Sequence, residues 1–324
     1  MNTHGPEGYI YHVYGHSKYL RHAVASALTI KRYDRQRKIA LVCEEKHKAE
    51  LIAAGFGDLF DVLHPIESNH CSITGFKHNV HHYQLFDRSL FLDSDIIWCR
   101  DPDKLWNLLS AYKFTITGNL KADAFFGASK GPKILLDLMM KKRERTLKRF
   151  GLTYLSRVQS GLMFVQDNEL AKIVCELADN MVSRKAETHF QSRNQEHGRT
   201  LESCEWSLAM AMSVMDVPVF PWLQGHTSPQ LDYIKDQCVH DKNFEDVYCK
   251  YFTNSFIYSL RGIKHDNIRN VLINICSFFP GYGDYMMVKP FCIHFGWLHQ
   301  KNPFYKFSER MWAEQAVSKG VSGN

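Results

Sequence analysis

Neither a Gly-x-Gly-x-x-Gly turn nor a Gly-Lys-Ser/Thr loop follows the first apolar run of this chain. Such loops hold phosphate on backbone amides at a helix start, so their absence points away from dehydrogenases and P-loop enzymes and shifts phosphate handling to some other group. No apolar run reaches the about 18 residues of a membrane helix. The first residues, Met1-Asn-Thr-His-Gly-Pro-Glu7, lack a basic segment followed by an apolar one, so neither a membrane span nor a signal peptide is expected. The nine cysteines are odd in number, scattered and free of C-x-x-C spacing. That pattern predicts reduced thiols and a cytoplasmic setting, and it counts against a disulfide framework or structural zinc. A net charge of +6 is modest for a nucleic-acid binder, and no nucleic-acid partner is expected; it suits anionic ligands such as nucleotides or an acidic membrane surface.

What is present is ample material for a core. With 324 residues, 45% hydrophobic and 23% charged, the chain has room for one large α/β domain with additions or for two domains. Residues 9–14 read as a first strand, and Ser17 as the cap of a helix running to about Arg32. A second strand is expected at 38–43, a helix at 45–54, a third strand at 61–64 and a helix at about 72–85. This alternation predicts a doubly wound, Rossmann-like sheet that is mainly parallel.

The next strand carries the most informative residues. Arg88-Ser-Leu-Phe-Leu-Asp-Ser-Asp-Ile-Ile-Trp98 is an apolar run interrupted by Asp93-Ser94-Asp95. A strand buried on both faces has no place for unpaired carboxylates, each of which costs several kcal/mol to bury. The pair is therefore expected where the strand leaves the sheet, at the edge where open α/β sheets bind ligands. Carboxylates at i and i+2 point the same way and suit Mn²⁺ or Mg²⁺, and a cation with open positions can grip a diphosphate. An isolated Asp-x-Asp more often caps a turn; the strand context favours a site.

Farther along, Gln159-Ser-Gly-Leu-Met-Phe-Val165 reads as a small-residue turn entering a strand, where Ser160 and Gly161 let a sugar ring approach the backbone. Residues 134–149 read as one amphipathic helix with a basic end, facing solvent or an acidic membrane surface. Residues 183–199 read as a loop, and 201–212 as a helix whose Glu202 and Glu205 favour its macrodipole or reach into the site. The aromatic segment 227–287 is expected to hold several helices and a turn at Pro280-Gly-Tyr-Gly283. In Lys289-Pro-Phe-Cys-Ile-His-Phe-Gly-Trp-Leu-His-Gln-Lys301, His294 offers an imidazole to a divalent cation and Lys301 an ammonium to phosphate.

Taken together, Leu85-Phe-Asp-Arg88, Leu90-Phe-Leu-Asp-Ser-Asp95, Ser160-Gly161-Leu-Met-Phe-Val165, Glu202 to Leu208 and the late His294 to Phe304 stretch resemble the metal-dependent GT-A glycosyltransferases. The resemblance is to family 8, the glycogenin and lipopolysaccharide galactosyltransferase group, and it covers about 1–222 and 288–304. It implies a GT-A core over 1–226, with 227–287 as a helical, aromatic addition and possible acceptor region. Residues 288–324 would then return to the metal. It also implies Mn²⁺ (or Mg²⁺) on Asp93, Asp95 and His294, a UDP-sugar donor, a glycan or glycoconjugate acceptor, and retention at the sugar carbon. The implied donor-binding set is Val13, Tyr14, Gly15, Lys77, Asp93, Ser94, Ser160, Gly161, Gly296 and Lys301. For Lys77 a surface position is the competing reading. Two departures stand out: Gly296 follows directly on His294-Phe295, and Asn-Pro-Phe replaces Pro-Trp. Gln195-Glu196, Glu202 and Glu205 compete for the family's Asp-Gln position, and Glu202 or Glu205 would be the base of an inverting enzyme. The alternatives are a silent carbohydrate- or nucleotide-binding protein and a sugar nucleotidyltransferase, whose basic glycine-rich loop Tyr14-Gly-His-Ser-Lys18 poorly replaces.

Overall fold

The structure, a computed structural model, describes residues 4–123, 126–127, 133–190, 202–254, 257, 260 and 263–318. Its strands are β1 (Glu7–Val13), β2 (Lys38–Cys43), β3 (Val62–Pro65), β4 (Arg88–Leu92), β5 (Ile96–Trp98), β6 (Phe114–Asn119), β7 (Arg157–Val165) and β8 (Phe220–Pro221), followed by β9 (Gln230–Asp232), β10 (Cys238–His240), β11 (Val247–Phe252), β12 (Tyr285–Val288) and β13 (Cys292–His294). The helices are α1 (Lys18–Tyr33), α2 (Glu45–Ala53), α3 (Ile73–Lys77), α4 (Asp103–Leu109), α5 (Lys133–Met139), α6 (Lys142–Arg149), α7 (Asn168–Ser183), α8 (Cys204–Val214), α9 (Asp266–Cys276) and α10 (Asn302–Ser318).

Seven strands form the central sheet in the order β3-β2-β1-β4-β7-β6-β8. Strands β3, β2, β1 and β4 are parallel neighbours, as are β6 and β8, while β7 runs antiparallel to both β4 and β6. The sheet is thus mixed and mainly parallel, as the alternation predicts. Its two faces are covered by different helices. Ile10, Phe91 and Met163 pack with α7 and α8, whereas Tyr9, Tyr11, Val13, Leu90 and Leu92 pack with α1 and α4. Strand order reverses between β1 and β4, which makes the carboxyl ends of these two strands the natural ligand crevice.

Three expectations change. The helix expected at 72–85 is the short α3 and a separate turn at Val80–Tyr83. Asn79 ends it: its side-chain amide donates to the Gly75 carbonyl at 2.8 Å and so competes with the helical ladder. The single helix expected over 134–149 is broken at Lys141, whose φ is 50°, into α5 and α6. Segment 227–287 holds one helix of any length among its described residues, α9, and four strands, β9 to β12.

Those strands build two small sheets, β10-β11-β12 and β5-β13-β9. Along β11 burial alternates, Val247 and Cys249 in and Tyr248 out, over too few residues for the period to be read from sequence. The aromatic residues divide: Phe252 is buried, while Phe278 and Phe279 are 87% and 60% exposed. Phe256 and Tyr258, like Gln195 and Glu196, lie outside the described residues.

Candidate functional site

The acidic pair stands where the central sheet hands the chain to a smaller one. β4 ends at Leu92, and the Asp93 N–H donates to the Gly161 carbonyl of β7 at 2.9 Å. After the turn through Ser94 and Asp95 the chain becomes β5, which pairs antiparallel with β13 so that Ile96 faces His294. On its other side β13 pairs in parallel with β9, placing His294 beside Asp232. The register of three strands far apart in sequence therefore sets the imidazole against the carboxylates. One ligand atom from each of Asp93, Asp95 and His294 lies within 4.8 Å of the others. His294 Nε2 is 3.5 Å from Asp95 and 3.7 Å from Asp93.

Two ammoniums flank the carboxylates. Lys77 Nζ lies 2.7 Å from Asp93 Oδ1, and Lys301 Nζ 2.6 Å from Asp95 Oδ2. Lys77 is buried and also donates to the Ser160 carbonyl at 2.7 Å, so the surface reading of this lysine is corrected. Asp95 and His294 are buried as well, leaving Asp93 the more open of the two acids.

Burial alone would push His294 toward neutrality, but Asp95 and Asp232 outweigh it and raise its pKa to about 10. Burial would likewise raise Asp95, yet Lys301 and His294 hold it well below the usual carboxylate range. Lys301 is raised in turn, Asp95 overcoming desolvation. Without metal, three carboxylates, two ammoniums and an imidazolium balance. Exchanging the imidazole proton for a divalent cation leaves a net positive site, suited to a diphosphate. The donor set of two carboxylates and one imidazole fits Mn²⁺ or Mg²⁺.

A pH signature follows. His294 titrates near 6.5 when unfolded and near 10 in the metal-free fold, so its stabilising contribution is complete below about pH 6.5 and is lost as pH rises through about 10. Melting midpoints of the EDTA-treated chain should fall over that window more steeply than those of His294→Gln. Mn²⁺ binding at pH 7.5 should release about one proton, measured calorimetrically in buffers of different ionisation enthalpy.

Several residues of the site were not singled out from sequence. Asp232 Oδ1 lies 3.2 Å from His294 Nδ1, accepts from Gln159 Nε2 at 2.7 Å, and shares its carboxylate with the Trp297 N–H at 3.2 Å. Gln159 is fixed by Gln230, whose amide donates to it at 2.7 Å. Gln159 Nε2 also lies 2.9 Å from His294 Nδ1, so Asp232 and Gln159 together engage that nitrogen and leave Nε2 turned to the acids. An Asp232→Asn chain should bind Mn²⁺ about 10- to 100-fold more weakly by calorimetry while keeping its fold. His12 is the other omission. Its ring stacks on Phe76 at 4.0 Å, and its buried Nδ1 has no hydrogen-bond partner among the described residues. Burial first, then Lys77, lowers its pKa to about 3, so it is a neutral imidazole close to the acidic pair. Alternation along β1 is the signal that marks it: Tyr9, Tyr11 and Val13 share one face, Ile10 and His12 the other.

The remaining expected donor residues divide by role. Val13 points its side chain into the α1 core, leaving only its backbone at the strand end. Tyr14 is half-buried, and its hydroxyl is raised by burial and then by Asp93. The Gly15 N–H is taken by Glu44 at 2.6 Å. Ser94 is half-buried in the acidic turn, and Ser160 contributes its carbonyl to Lys77 and its hydroxyl to the Cys204 thiol at 3.3 Å. Gly161 and Gly296 both make room for the His294 ring. A methyl group at Gly161 would meet His294 Nε2 at 3.2 Å, and one at Gly296 would meet its Cε1 at 2.7 Å, too close to accommodate without moving the ring. Glu202 is engaged elsewhere, by Lys185 at 2.5 Å and the Trp206 N–H at 2.8 Å. Glu205 lies half-buried on the first turn of α8, next to Cys204.

No protein-family model matches the chain, and no curated protein does. Among solved structures it is similar to the galactosyltransferase LgtC in complex with donor and acceptor sugar analogs, at 12% identity and a TM-score of 0.49, over 96% of this chain and 95% of that one. It is similar also to the glycosyltransferase GlyE of Streptococcus pneumoniae TIGR4, at 13% identity and a TM-score of 0.47, over 99% of this chain and 64% of that one. A third is mouse xyloside xylosyltransferase 1, at 12% identity and a TM-score of 0.45, over 69% of this chain and 87% of that one. All three of these structures are glycosyltransferases.

Proposed function

We propose that this chain is a metal-dependent glycosyltransferase of glycan biosynthesis. In this reading it moves a sugar from a UDP-sugar to a hydroxyl of a glycan or glycoconjugate, with retention, in the cytoplasm. The observation that carries the proposal is the convergence of Asp93, Asp95 and His294 within 4.8 Å at the carboxyl end of β4, flanked by the buried Lys77 and the part-buried Lys301. A turn-capping acid pair would need neither the imidazole nor the ammoniums.

Asp93, Asp95 and His294 would hold Mn²⁺ or Mg²⁺, which supplies Lewis-acid stabilisation of a departing nucleoside diphosphate when bound. Lys77 and Lys301, partly released from the carboxylates, neutralise phosphate oxygens. The end of β1, from His12 to Gly15, lies beside the acidic turn and is the place for base and ribose. Of the two candidate bases of an inverting enzyme, Glu202 is held in an ion pair with Lys185, which agrees with retention. We place acceptor contacts on 263–287, where Phe278 and Phe279 offer exposed faces to sugar rings. No helix among the described residues is long and apolar enough to cross a membrane. Peripheral contact would fall on α5 and α6, where exposed Leu135, Leu136 and Met139 adjoin the basic run.

The test is a panel of UDP-hexoses and UDP-pentoses incubated with the chain and Mn²⁺, with UDP release and transfer to glycan acceptors followed. Slow hydrolysis of one donor, accelerated by an acceptor and absent with EDTA, is expected. Metal-dependent UDP binding with no turnover of any donor would contradict the enzyme reading in favour of a silent binding protein.

A further inference from the structure

The hairpin of β10 and β11 holds a feature independent of the functional reading. Cys238 and Cys249, eleven residues apart, are directly opposite in the antiparallel ladder, with their sulfurs 3.0 Å from each other. All nine cysteines of the chain are free thiols, and no other two sulfurs among the described residues are in hydrogen-bond contact. The neighbouring pair is the hydrogen-bonded one, Lys250 N–H donating to the Gln237 carbonyl at 2.8 Å. Cys238 and Cys249 therefore occupy a non-hydrogen-bonded position, where Cα atoms approach to about 4.5 Å, inside the about 4.4 to 6.8 Å span of disulfides. β10 is the edge strand of its sheet, so opening it exposes Cys238 without disturbing β11 and β12.

We propose that Cys238 and Cys249 form a reversible disulfide that staples the β10-β11 hairpin under oxidising conditions. The oxidant is a small disulfide such as oxidised glutathione. The Cys238 thiolate attacks one of its sulfurs, expelling one small thiolate and forming a mixed disulfide. Cys249 then attacks the Cys238 sulfur and expels the second. Two protein S–H bonds are lost and one S–S bond gained, with both electrons on the two released thiols and both protons passed to them or to solvent. Cys238, on the edge strand and 8% exposed against 2% for Cys249, is the first to react. The hairpin tip is tied to both outer helices: Arg32 donates to the Asn243 carbonyl at 2.7 Å and Arg310 to that of Lys242 at 2.8 Å. Its base follows Asp232, which supports His294. The staple thus closes a loop that is already anchored at its far end.

The experiment equilibrates the folded full-length chain in glutathione buffers from fully reduced to fully oxidised, alkylates the remaining thiols after denaturation, and maps the cysteine peptides by mass spectrometry. Expected is one cross-linked peptide containing Cys238 and Cys249, the other seven cysteines alkylated, full reversal by dithiothreitol, and a melting midpoint a few degrees higher when oxidised. In Cys249→Ala, oxidation should stop at a glutathione adduct on Cys238 with no rise in midpoint. The proposal is overturned if both cysteines stay alkylated in the most oxidising buffer, if Cys238 pairs elsewhere, or if the cross-link forms only in urea.

Discussion

An Asp95→Asn chain is expected to lose Mn²⁺-dependent binding of UDP and all sugar transfer. Asp95 is the buried acid of the pair, and its two oxygens face Lys301 at 2.6 Å and His294 at 3.5 Å. Asparagine keeps the shape and removes the charge. Because Asp95 would ligate the cation directly, metal affinity should fall by more than the about 10- to 100-fold that follows loss of a partner which only orients a ligand. The substitution also leaves the Lys301 ammonium, 15% exposed, without its carboxylate, which costs up to about 3–5 kcal/mol, the figure for a fully buried pair. Circular dichroism and the melting midpoint separate the two effects: a folded, less stable chain that no longer binds UDP with Mn²⁺ supports the assignment. Undiminished metal-dependent binding would show that the acidic turn is structural.

Lys77→Met should produce a different split. The Lys77 ammonium bridges Asp93 and the Ser160 carbonyl, both at 2.7 Å. As a competitor for Asp93 it weakens cation binding slightly; as a phosphate partner it strengthens nucleotide binding. Its removal should therefore leave Mn²⁺ affinity unchanged or somewhat higher. UDP affinity in saturating Mn²⁺ should fall about 30- to 5,000-fold, the range for losing one member of a buried charge pair. Equal losses in both titrations would mean that Lys77 only holds β7 against the acidic turn.

What could be read from the sequence was whatever a local rule makes improbable. Two acids inside an apolar strand violate the expectation for buried carboxylates, and His294 in a short strand before a Gly-Trp turn keeps company with them. The doubly wound half was legible because strand and helix alternate with clear periods. The buried state of Lys77 was not, because it depends on Asn79 cutting α3 short and on a carbonyl of β7. Asp232, Gln159 and Gln230 were invisible for a related reason. Their meeting with His294 depends on β13 threading between β5 and β9, and nothing in a stretch as short as Gln230-Leu-Asp232 announces a register set sixty residues later. His12 was within reach of the sequence, since alternation along β1 separates it from Val13. Segment 227–287 misled because strands of three to six residues cannot display their period, and aromatic residues serve a small sheet as well as a helix.

The central claim, that Asp93, Asp95 and His294 hold a cation which grips a diphosphate, is tested most directly by calorimetric titration of UDP into the native chain, once with saturating Mn²⁺ and once with EDTA. The account expects saturable one-to-one binding with Mn²⁺ and none with the chelator. Binding of equal strength in both conditions, or in neither, would contradict it.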